Sequence, residues 1–154
     1  MKVRKLLLTL PVLFAAVAVC FAADVNMGTW KLNDAKSKIS PAAGKNSTVV
    51  IAAAGDNVKV TVDGIGADGK PTHNQWTGKF DGKDYPLTGD PASDMRAYKA
   101  VDDHTQALME KKGGKIVTTG RIVVSTDGKN RTITASRTDA DGKKISFTYV
   151  YDRQ

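Results

Sequence analysis

Cysteine occurs once in this sequence, and that residue, Cys20, falls in a segment read below as a removable leader. Residues 23–154 therefore hold no disulfide, no thiol nucleophile and no cysteine-ligated metal. They must fold on core packing and backbone pairing alone, although an oxidising compartment would permit disulfides. Histidine is nearly as rare, with His73 beside a turn and His104 after Asp102-Asp103. An Asp-Asp-His run suits a carboxylate–imidazole pair in principle, but charged residues at a strand–turn–strand junction are ordinarily solvated. The sequence has no HExxH, no Gly-x-Ser-x-Gly and no phosphate-binding glycine loop. Thr138-Asp139-Ala140-Asp141-Gly142 lacks the acidic partners of a calcium loop, since Arg137 and Thr148 stand in their places. No catalytic residue, metal site or cofactor is predicted, and no constellation supports an enzyme.

Long apolar runs are equally few. The one present, Leu6 to Phe21, is interrupted by Thr9 and Pro11 and preceded by Met1-Lys2-Val3-Arg4-Lys5. With Cys20 and Ala22 as small residues at −3 and −1 of a cut after Ala22, residues 1–22 have the three-part layout of a secretory signal peptide. The run is short for a membrane span, which needs ~20 apolar residues. Val19 stands where a lipidated cysteine would need a small neighbour, which argues against anchoring through Cys20. The expectation is an exported protein, periplasmic or extracellular, with no stable membrane span after processing. Loss of Lys2, Arg4 and Lys5, with no acid, takes the formal charge from +7 to +4. That balance suits a soluble surface, and the remaining cations stand singly or in pairs without interleaved aromatics, so nucleic acid is not an expected partner.

Beyond residue 23 no apolar stripe repeats at helical spacing. What the sequence has instead is turn punctuation. Asp-Gly-Lys occurs at 68–70, 81–83, 127–129 and 141–143, joined by Gly55-Asp56, Asp63-Gly64 and Gly113-Gly114. Asp-Gly favours two-residue hairpin turns in which both central residues take positive φ. Between the turns, Val58, Val60 and Val62 alternate with polar residues, as do Ile145, Phe147, Tyr149 and Tyr151. The pattern predicts about nine strands, at 28–32, 47–53, 57–63, 72–80, 94–101, 104–111, 115–125, 130–138 and 143–151. Gly120, in the middle of a long β-rich run, marks a bulge or bend. Residues 33–46 read as an extended loop, and 84–93 as an ordered, turn-rich loop.

Strands joined by tight hairpins form an antiparallel meander, and closure removes its two exposed edges. The expected fold is a single all-β domain over 23–154, an up-and-down barrel of about eight to ten strands. Period-two phasing then nominates inward residues. Arg137 shares parity with Ile133 and Ala135, Arg121 with Val117 and Val123, Trp76 with Phe80, and Tyr149 with Phe147. A buried arginine must be paired or serve an anionic ligand. Arg137, Arg121, Tyr149 and Trp76 are thus the candidate ligand-binding residues.

Gly28-Thr29-Trp30, opening the first strand before Lys31-Leu32, resembles the Gly-x-Trp motif of the calycin group, which includes lipocalins, fatty-acid-binding proteins and avidins. The resemblance implies a lipocalin-like barrel in which Trp30 packs across the closed end beneath an arginine of a late strand, Arg121 or Arg137. The ending Val150-Tyr151-Asp152-Arg153-Gln154 is similar to that of fatty-acid-binding proteins. Their carboxylate-holding arginine, however, is replaced by Tyr149, and their helical lid has no counterpart in 33–46. The chain also resembles a family of exported bacterial proteins, from which no activity follows. The shared pieces are Gly28-Thr29-Trp30-Lys31-Leu32-Asn33 with Ala35-Lys36-Ser37-Lys38, Tyr85-Pro86 with Thr88-Gly89-Asp90-Pro91, and Gly113-Gly114-Lys115 with Gly120-Arg121.

Two functions from different classes fit. The first is a monomeric binding module for a small, apolar or amphipathic ligand. The second is a protein-interaction or protease-inhibitor-like barrel acting through its 84–93 loop, with Tyr85, Pro86 and Leu87 as the contact surface.

Overall fold

The computed structural model describes residues 24–138 and 141–154, so the expected leader lies outside the described residues. Ten strands run in sequence order: β1 Gly28–Leu32, β2 Lys45–Ala54, β3 Asn57–Ile65, β4 Pro71–Gly78, β5 Tyr85–Thr88, β6 Met95–Asp102, β7 Thr105–Lys112, β8 Lys115–Val124, β9 Asn130–Thr138 and β10 Lys144–Arg153. Each pairs antiparallel with its sequence neighbours, and β1 pairs with β10 to close the barrel. The up-and-down barrel expected from turn punctuation is therefore present.

Three local expectations are corrected. Residues 85–88 are not loop but a short wall strand, β5, bonded to β4 through Gln75–Trp76 and to β6 through Met95–Arg96. Four residues are too few for alternation to declare itself, and Pro86 sits where its missing N–H costs little. The segment 33–46 contains two short 3₁₀ turns, Asp34–Lys36 beside the end of β10 and Pro41–Ala43 at the barrel mouth. Gly120 makes no bulge, being in register with Leu108 on one side and Ala135 on the other. The irregularity of β7–β8 falls instead between Glu110 and Lys111. Gly120 is required for closeness: a Cβ there would lie 2.6 Å from that of Ala135.

The Asp-Gly-Lys repeat also works differently from a two-residue hairpin turn. Among the described residues none other than glycine has positive φ, so these aspartates are not in the left-handed region. Instead the Asp68, Asp81 and Asp127 carboxylates accept the backbone N–H of Lys70, Lys83 and Lys129 at 3.0–3.1 Å. The glycine alone turns left-handed, as in longer turns built on an aspartate cap. Among the described residues, Gly113-Gly114 alone places both residues of a two-residue turn at positive φ.

The two ends of the barrel differ. At one end the interior is filled. Trp30 is fully buried, and its Nε1 donates to the Asn26 carbonyl at 2.9 Å. Its ring lies 4.2 Å beneath a guanidinium. That guanidinium belongs to Arg153, the last residue of β10, and not to Arg121 or Arg137. Arg153 also donates to the carbonyls of Val25, Met27 and Gly128. It thereby ties the segment before β1 to the end of the chain. Across the barrel Trp76 packs edge-on to Tyr85 and Tyr98 and stacks with Phe80. Such aromatic pairs add roughly 0.5–1.5 kcal/mol each beyond burial. The opposite end, bounded by the β3–β4, β5–β6, β7–β8 and β9–β10 connections and the Pro41–Ala43 turn, is left open.

Candidate ligand-binding cavity

A cavity of about 740 Å³ descends from the open end into the barrel. Such a volume falls within the roughly 300–1,000 Å³ range of small-molecule sites. Its walls differ in chemistry. Val49 and Val62 from β2 and β3, with Ile145 and Phe147 from β10, make an apolar side, continued by Leu108 and Ile133. These are the inward positions of alternating strands, so the period that formed the sheet also lined the cavity.

The other side carries a buried charge network. Glu110 on β7 is 4% exposed, and it accepts from Arg96, Arg137 and, at 3.4 Å, the Ser93 hydroxyl. Arg96 Nε donates to its Oε1 at 2.8 Å and Arg96 Nη2 lies 2.7 Å from the same oxygen. Arg137 Nη2 donates to Oε2 at 3.3 Å. Arg96 also donates to the side-chain oxygen of Asn74 at 3.3 Å, and Arg137 approaches Asp90 at 3.5 Å. Burial alone would raise the Glu110 pKa, but the facing Arg96 and Arg137 guanidiniums overcome it and hold the carboxyl below its ordinary value. Arg96 is likewise held as the cation, its burial outweighed by Tyr98 and Glu110. Two arginines and their carboxylates thus satisfy each other within the wall.

Arg131 is different. It lies deeper, near the filled end, directly opposite Tyr151 in the β9–β10 register, and both line the cavity. It is 1% exposed, and Tyr151 is fully buried. Neither the Arg131 Nε nor the Tyr151 hydroxyl has a hydrogen-bond partner. Burial pushes the Arg131 pKa down against the opposing influence of Tyr98 and Tyr151, the nearby Arg96 charge lowers it further, and no described carboxylate opposes it. Burial likewise raises the Tyr151 phenol, and it raises Tyr149 to about 12.

Of the four residues nominated from parity, Arg137 and Tyr149 line the cavity. Tyr149 donates to the Gly44 carbonyl at 3.2 Å, beside the mouth. Arg121 does not join them. Its face of β8, shared with Val123, is exposed, while Thr118, Ile122 and Val124 point inward. The β-rich run 116–124 is apolar on both faces near its end, so hydrophobicity did not mark the inner one. Trp76 is inward but buried in the aromatic plug, its Nε1 donating to the Arg96 carbonyl at 2.8 Å. It belongs to the core and not to the cavity wall. Tyr85, Pro86 and Leu87 lie in β5, with Leu87 buried in the core and Pro86 exposed. They are not on a projecting loop. Asp102 accepts the backbone N–H of His104 rather than facing its imidazole. Among the described residues no group of three or more His, Cys, Asp or Glu side chains is placed to hold a metal ion.

The sequence reading missed Arg96, Glu110 and Arg131. Arg131 shares parity with Ile133, Ala135 and Arg137, the signal that nominated Arg137, but it stands at the strand's edge. Glu110 and Arg96 border turn-rich segments where alternation is short.

No family model matches this chain, and no curated protein matches it. A solved structure similar in shape is that of EF1p2_mFAP2b bound to DFHBI, with a TM-score of 0.49 and 12% identity. The alignment covers 86% of this chain and 97% of that one.

Proposed function

We propose that this chain is an exported binding protein that holds a small, partly apolar molecule inside its barrel. The observation that carries this reading is the asymmetry of the interior. One end is packed by Trp30, Arg153 and the Trp76 aromatics, while the other opens into a cavity lined by both aliphatic and charged groups. A barrel needing only stability would fill its interior to ordinary packing density. Apolar walls with a few placed polar groups are the usual composition of small-molecule sites.

Titration with the neutral fluorescent probe N-phenylnaphthylamine tests the reading. Saturable binding of one probe per chain is expected, and Ile133→Trp, which would fill the cavity, should weaken it by about tenfold or more. Absence of saturable binding, or binding indifferent to that substitution, would overturn it. Export rests on the layout of residues 1–22. Expressed with those residues in a bacterial host, the protein should be recovered outside the cytoplasm with Ala23 as its first residue.

A further inference from the structure

Within that binding reading, we infer that the ligand is a monoanion with an apolar tail, its carboxylate seated on Arg131 and Tyr151 at the cavity floor. The inference rests on orphaned groups and a charge imbalance. Arg131 and Tyr151 face each other across β9 and β10, both buried and both lining the cavity. Each has a polar atom without a partner. An arginine cannot shed its proton to escape burial, and an uncompensated buried charge is among the most unfavourable features a fold can carry. The buried network offers no relief. Arg96 and Arg137 already share Glu110 and Asp90. Among the described residues, three guanidiniums face two carboxylates and leave one positive charge unmatched, and it lies on the side chain that has no described acid beside it.

That remainder defines the ligand. One negative charge completes the balance, whereas a dianion would overshoot it and a cation would worsen it. A planar carboxylate suits a guanidinium, which can offer it two parallel N–H donors, and the Tyr151 hydroxyl can supply another. From the floor toward the mouth the path runs past Ile133, Leu108, Phe147 and Ile145. The tail of such a molecule would lie against aliphatic and aromatic surface while its head reached the floor.

Octanoate, octanol and octylamine share one chain and differ in head group. In displacement of N-phenylnaphthylamine from the purified chain, octanoate should act at about tenfold lower concentration than octanol, with octylamine weakest. Arg131→Met should bring octanoate down to the level of octanol while the probe still binds. The melting temperature of that variant should stay level or rise, because an unpaired buried charge has been removed. An arginine with a purely structural role would give the opposite pattern, a lower melting temperature with the preference for octanoate intact. Tyr151→Phe provides a milder variant, keeping the charge and shape. It should weaken octanoate several-fold without changing octanol. Equal displacement by octanoate and octanol in the unsubstituted chain overturns the inference and leaves the binding reading standing. A chain that never takes up the probe overturns the binding reading itself.

Discussion

At the scale of single residues, Glu110 is the most deeply buried carboxylate among the described residues. Its carboxylate stands between Arg96 and Arg137, and it is 4% exposed. Removing one member of a buried ionic network costs more than the network contributes, because the remaining charges stay buried and unpaired. Glu110→Gln should therefore destabilise the barrel by about 3–5 kcal/mol, measured by urea denaturation at neutral pH. The same group sets a pH dependence. Its pKa is held below the unfolded value of 4.5. The folded state thus gains stability that is complete above that value and lost as the pH falls through the folded pKa. In Glu110→Gln the acid limb of the stability profile should be shallower than in the unsubstituted protein. At the alkaline end the sign reverses. Tyr149 is raised to about 12 from an ordinary value of 10.0, so its contribution is intact below pH 10 and lost above it. Tyr149→Phe should therefore flatten the alkaline limb while leaving the acid limb unchanged.

Legibility in the sequence follows the same residues. Alternation reveals which face of a strand is apolar, and it located Arg137 and Tyr149 because their neighbours are cleanly divided between faces. It failed at Arg121, where Val123 and Val124 are both apolar and the phase is ambiguous; a slip of one residue reverses every side chain. It passed over Arg131 for a different reason. A charged residue beside a turn ordinarily belongs to solvent, and only the closed barrel shows that this one lies inside. Trp30 was located by its Gly-x-Trp context. Its cationic partner is Arg153, which shares the parity of Tyr149 and Tyr151 but lies beyond the 143–151 stretch expected to be strand.

Among the elements, β5 is the weakest part of the wall. It has four residues and shares two register pairs with each neighbour, whereas β9 and β10 are paired along nine positions. Local opening draws on the regions with fewest buried contacts and hydrogen bonds. Amides of Leu87 and Thr88 should therefore exchange faster than those of the central residues of β3 or β9, as hydrogen–deuterium exchange would show. Leu87 limits that opening because its side chain is buried in the core cluster. Leu87→Ala should cost about 2–5 kcal/mol and should increase exchange in β5 more than in β2. The brevity that weakens β5 also hid it in the sequence. Four residues including a proline cannot display a period, whereas the nine residues of β3, with Val58, Val60 and Val62 alternating with polar neighbours, can.

For the whole molecule, the barrel divides its labours between its ends. The filled end joins the start of β1 to the end of β10, and Arg153 is the link. It stacks on Trp30, reaches the carbonyls of Val25 and Met27 in the segment before β1, and reaches the Gly128 carbonyl in the β8–β9 turn. Hydrogen bonds from a charged donor contribute roughly 1.5–3 kcal/mol, and the stacked cation adds about 0.5–2 kcal/mol. These contributions overlap on one side chain, and part of each is recovered by water when the side chain is removed. Arg153→Ala is thus expected to lower stability by about 2–3 kcal/mol. The cavity floor has the reverse character, since Arg131 is held there at a cost in stability that a bound anion would offset. The two arginines therefore make opposite predictions for one pair of measurements. Arg153→Ala should lower the urea midpoint and leave probe affinity and the preference for octanoate unchanged. Arg131→Met should leave the midpoint level or raise it while abolishing that preference. Loss of ligand preference in Arg153→Ala would mean that closure and binding are coupled through the barrel, contrary to the separation its two ends imply.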